Sequence, residues 1–87
     1  MHAVVIRVTL KDVEGAQDQL RNEVVPQVSQ APGFVNGYWT RKGDTGLSMI
    51  LFESEEAANS ASERIPSTVP DSVDLEGVEV REVVANA

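Results

Sequence analysis

Four side chains of this 87-residue chain are of types that could hold a small organic molecule: Arg7, Asn36, Tyr38 and Trp39. Arg41 belongs beside them. Arg7 is a charge midway along an apolar run. It either binds a substrate anion or a developing enolate, or pairs with Glu53, Glu79 or Glu82 on a neighbouring strand or across a dimer. Ion pairing is the commoner fate of such a residue. Trp39, the only tryptophan, can be a wall for a flat ring; such a residue more often fills a core or an interface. Asn36 and Tyr38 alternate with Trp39 and Arg41. In an extended segment the two pairs point to opposite sides, so only one pair can face a given cavity.

Other reactive types are sparse. Glu53 could serve as a general base, though strand-end glutamates more often pair or face solvent. His2 is of a type used in proton transfer, but a terminal histidine is more often incidental. Glu55, Glu56 and Glu63 read as a solvated helix face. No Ser-His-Asp set, phosphate-cradling glycine loop or carboxylate metal cluster is present, and no catalytic residue is assigned. The chain has no cysteine, which excludes disulfides and thiolate metal sites. With one histidine, no metal or cofactor is expected.

Seven basic against fourteen acidic residues give a net charge of −7. That sign disfavours nucleic acid and anionic membranes as partners. The apolar run Ala3-Val4-Val5-Ile6 meets Arg7 at once, with no basic region ahead of it, so a signal peptide is not expected. No apolar stretch approaches the roughly 20 residues a bilayer span needs. A cytoplasmic location is the expectation.

The elements that would position these residues follow from periodicity. Residues 2–10 predict a strand, with Val4, Ile6, Val8 and Leu10 on one face and Ala3, Val5, Arg7 and Thr9 on the other. Residues 12–30 change to a helical period through Val13, Ala16, Leu20, Val24 and Val28. Asp12 is placed to cap this helix, and Pro26 to kink or loosen its last turn. Residues 34–42 and 47–53 predict a hairpin around Lys42-Gly43-Asp44-Thr45-Gly46. Ser54 caps a second helix that buries Ala57, Ala58, Ala61 and Ile65, and Pro66 is expected to end it. Residues 66–72 read as a loop. Residues 73–84 give a last strand or a broken pair, with Gly77 as the site for a bulge.

The order β-α-β-β-α-β predicts one α+β domain over residues 1–87, of the ferredoxin-like kind. Right-handed crossovers give a four-stranded antiparallel sheet of order 4-1-3-2, with both helices on one face. Two helices cover only one side of such a sheet. Yet Val4 and Val5, or Leu51 and Phe52, offer apolar groups to both sides. An apolar face of that size is unusual on a monomer. A second copy, packed by two-fold symmetry into a shared barrel, is the expected cover.

Two passages carry a family resemblance. Ala31-Pro32-Gly33-Phe34-Val35-Asn36-Gly37-Tyr38 looks like a "PGF…GY" entry to strand two. Phe52-Glu53-Ser54-Glu55-Glu56-Ala57 looks like a "[WF]-E-S-x-E-A" passage from strand three into helix two. On these the chain resembles the dimeric α/β-barrel superfamily, in particular its antibiotic-biosynthesis-monooxygenase-like domains. The resemblance implies a homodimer and a small, aromatic or apolar ligand. It also implies an activity drawn from cofactor-independent oxygenation, haem degradation or isomerisation, or no activity at all. Haem-degrading members carry an Asn on strand one, a Trp before helix two and a His late in helix two. Here strand one lacks Asn, Phe52 takes the Trp place, and helix two has no His, so haem degradation is not expected. A cofactor-independent oxygenase would hold an acidic phenol in an apolar cavity and stabilise its charge, with Arg7, Asn36, Tyr38, Trp39 and Arg41 as the available groups. The rival is a non-catalytic, ligand-sensing or stress-related dimer. A binding protein or enzyme should have an apolar cavity of about 300 Å³ or more with two convergent polar groups; a packed module should have that space filled.

Overall fold

A computed structural model describes residues 1–87. The first strand, β1 (His2–Leu10), is followed by α1 (Val13–Gln19), a π-helical turn (Leu20–Val24) and α2 (Val25–Ser29). The hairpin β2 (Phe34–Lys42) and β3 (Thr45–Phe52) comes next, then α3 (Glu55–Thr68) and β4 (Val73–Glu82). The four strands form one antiparallel sheet of order β2-β3-β1-β4. This is the expected ferredoxin-like α+β architecture, with the two helical arms on one face.

Alternation along the strands separates the faces. Val4, Ile6, Ile50 and Phe52 turn to the helices and are buried; Val4, Ile50 and Phe52 are almost completely so. Burying a side chain of that size stabilises the fold by roughly 1.5–3 kcal/mol. Ala58 and Ile65 of α3 close on them, and the Phe34 ring meets Phe52 edge-on at 6.3 Å. Leu10, Ala16 and Val73 form a second, smaller cluster. Val8 and Val69 touch both clusters.

The helix ends follow their sequence signals, and the prolines depart from them. The Asp12 carboxylate accepts from the Gly15 N–H at 3.2 Å, and the Ser54 hydroxyl from the Ala57 N–H at 3.1 Å. Pro26 does not merely loosen a last turn. The chain widens ahead of it into the π-helical turn, where the Val25 N–H bonds back to Leu20 O, five residues away. A wider turn relieves the clash a proline ring makes with the carbonyl four residues earlier. Pro66 does not end α3, which runs on to Thr68. In a final turn a proline costs one hydrogen bond. Here the Ser67 and Thr68 hydroxyls also bond the carbonyls of Arg64 and Ile65 at 2.7 and 3.0 Å.

The bulge falls beside Gly77, where the β1–β4 register slips between Arg7 and Val8. The last strand stops at Glu82 rather than 84, although the Val83 N–H still reaches Met1 O at 3.0 Å. His2 is not frayed. It pairs within β1, and its Nε2 lies 3.3 Å from Glu55 at the start of α3. No helix is long and apolar enough to cross a membrane.

Candidate functional site: a cavity under the first helix

A cavity of about 350 Å³ lies between the sheet and the first helical arm. Twelve of its twenty lining residues are hydrophobic, so its character is apolar. Leu20, Val24, Val25 and Val28 form one wall. All but Val25 belong to the stripe that the sequence assigned to a packed helix face. None of them is fully buried, because the stripe looks onto space rather than onto a filled core. Ile65, Thr68 and Val69 close the far end, and Val8 and Leu10 line the floor from β1. The cavity therefore sits where the two core clusters would otherwise merge.

Pairing between β2 and β3 explains the room. On the helix side, Gly37 stands opposite Ile50, Trp39 opposite Ser48, and Arg41 opposite Gly46. Each large side chain faces a small one or none. A Cβ at Gly37 would come within 3.1 Å of the Trp39 ring, so the indole lies back over that glycine. A Cβ at Gly46 would come within 2.6 Å of Val8 Cγ2. Substituting either glycine would crowd the floor.

The polar residues of the lining are Gln17, Arg21, Thr40, Arg41, Ser48 and Thr68. Ser48 is buried, with only 7% of its surface exposed, and lines the cavity beside Trp39. Arg41 and Arg21 line it from β2 and from the π-helical turn; both are exposed residues, which puts them at its open side. Arg41 Nη1 donates to Gly43 O at 3.0 Å, anchoring the guanidinium at the hairpin end. Gly43 turns the hairpin with φ +63°. No Asp, Glu, His, Lys or Tyr lines the cavity. No group of three or more His, Cys, Asp or Glu is gathered anywhere as a metal site.

Of the five residues picked from the sequence, Trp39 and Arg41 meet at the cavity, and Arg7, Asn36 and Tyr38 do not reach it. Asn36 and Tyr38 pair with Leu51 and Met49 on the opposite face of the sheet. Arg7 lies on that face too. Its Nη1 is 3.7 Å from Glu79 Oε1, while Arg81 meets the same oxygen at 3.0 Å. Arg7 thus takes the ion-pair role, and its guanidinium lies against Gly77, whose absent side chain leaves the space. Sequence reasoning passed over Ser48 and Arg21. A lone hydroxyl among the apolar residues of a hairpin strand was the available signal for Ser48. Arg21 gave none, because its direction depends on the π-helical turn.

The open face carries three of the exposed large apolar groups. Tyr38, Leu47 and Met49 are 60%, 45% and 44% exposed, beside half-buried Val5 and Leu51. The charged trio Arg7, Glu79 and Arg81 borders them. A comparison with protein-family models finds no match for this chain, and neither does a comparison with curated proteins.

Proposed function

We propose that the protein is a homodimer that binds a small aromatic or apolar molecule in the cavity of each protomer. The observation that carries this is the cavity itself. It is apolar, large enough for a fused-ring body, walled on one side by an indole and provided with Ser48 and Arg41 as directed polar groups. A chain of this size has little core to spare. The cavity is open on one side, so its apolar lining meets water, and a ligand that covers it gains from that burial. The fold and the two turn-and-cap passages support membership of the dimeric α/β-barrel superfamily, as an antibiotic-biosynthesis-monooxygenase-like domain. The exposed Tyr38, Leu47 and Met49 support a second copy as the cover of the open face.

Cofactor-independent monooxygenation is the catalytic form of this reading. The cavity offers no side chain that accepts a proton near neutral pH. Such a reaction would require a substrate already ionised on entry, held by the guanidiniums. Binding needs no such base and is the primary reading; a ligand-sensing dimer is its non-catalytic form.

Trp39 is the only tryptophan, so its emission reports the cavity directly. Titration with 2-naphthol is expected to change that emission saturably in the native protein and more weakly in Ser48→Leu, whose side chain would take the space beside the indole. A native protein without a saturable response sinks the binding reading.

A further inference from the structure

The cavity's charge opposes that of the chain. Asp and Glu outnumber Lys and Arg fourteen to seven, yet no acidic residue lines the cavity and two arginines do. Those two are also unpaired. The ion pairs of the structure engage His2, Arg7, Lys11 and Arg81 and leave out Arg21 and Arg41. The one hydrogen bond from the Arg41 head goes to Gly43 O, which leaves most of its five donors free. The buried Ser48 hydroxyl lines the same space. In so acidic a protein, two arginines without an acidic partner at one apolar cavity make a local field that favours an anion.

We propose that the ligand is an aromatic carboxylate: a flat apolar body that carries one carboxylate group, the planar partner that a guanidinium fork matches. The body lies against Trp39, Ile50 and Val28, and its charged oxygen turns to Arg41 and Arg21 at the open side. This assignment rests on the cavity-binding reading above and adds the charge of the ligand to it. Arg41 is the orienting group because the hairpin holds it; Arg21 completes the field from the π-helical turn.

Calorimetric titration with two probes of one shape separates the claims. 2-Naphthoate carries the charge and 2-naphthamide does not. The native protein is expected to bind naphthoate at least about tenfold more tightly than naphthamide, the scale of a charge-assisted hydrogen bond. Arg41→Gln should remove that preference while naphthamide still binds, and Arg21→Gln should reduce it; circular dichroism confirms that each variant is folded. Equal affinity of the native protein for the two probes overturns the anion assignment and leaves the cavity reading standing, as does an unchanged preference in the Arg41→Gln, Arg21→Gln double variant. If neither probe binds the native protein, both claims fall together.

Discussion

Trp39 and Ser48 stand directly opposite each other across β2 and β3, the one indole of the chain facing a buried hydroxyl, and both line the cavity. That mismatch in size holds the space open. Replacing Ser48 with valine should fill part of the void without disturbing the strand, since β-branched residues suit the pleat. The melting temperature of Ser48→Val should equal or exceed that of the native protein, while the Trp39 response to 2-naphthol weakens. A large drop in melting temperature would mean that Ser48 packs tightly and that the space is not free.

Gly33 is held at φ +79°, and a Cβ there would come within 2.8 Å of the Ala57 Cβ. Its carbonyl also accepts the Glu53 N–H at 2.8 Å, tying the entry of β2 to the exit of β3. Gly33→Ala therefore meets both a left-handed backbone penalty and a clash. It should cost roughly 2 kcal/mol and lower the melting temperature by on the order of 10 °C. The double variant with Ala57→Gly should recover only the part due to the clash. Differential scanning calorimetry of the two variants checks both statements.

Met49 is paired with Val5 on one side and Tyr38 on the other, at the centre of the open face. A lysine there would place charge in the middle of the proposed contact between copies. Sedimentation of the native protein at micromolar concentration is expected to show twice the 9.4 kDa chain mass. Met49→Lys should sediment as single chains and still fold. A native protein that runs only as single chains removes the dimer from the account.

Ser54 caps the N-terminus of α3, with Glu55 and Glu56 in its first turn. Ser54→Ala should destabilise the protein by about 1 kcal/mol, and Ser54→Asp should hold most of that stability. Asp12→Ala at the start of α1 should cost a similar amount. Urea unfolding of the three variants gives the comparison.

How much of this was legible in the sequence depended on the kind of signal. Strands β1 and β2 and the order of elements followed from two-residue alternation and from the Gly33 and Gly43 turns, which act locally. Pro26 and Pro66 misled because a proline states only what its own nitrogen cannot do. The chain answered Pro26 with a wider turn upstream, and at Pro66 it lost one bond in a final turn. Trp39 could be picked by type, yet its face could not, because Asn36 and Tyr38 make an equally plausible opposite side. Only the β2–β3 register, with Trp39 across from buried Ser48, decides it. Arg7 attracted attention as a charge within an apolar strand, and the structure pairs it with Glu79, an acid far away in sequence.

The central claim is that a ligand enters under the first helix rather than lying on the open face. Amide and indole resonances recorded during a titration with 2-naphthoate test this most directly. The account predicts shifts confined to the Trp39 indole and to the amides of Arg41, Gly46, Ser48, the π-helical turn and α2, with Tyr38 and Met49 unmoved. Shifts centred on Tyr38, Leu47 and Met49, with the Trp39 indole unchanged, would contradict it.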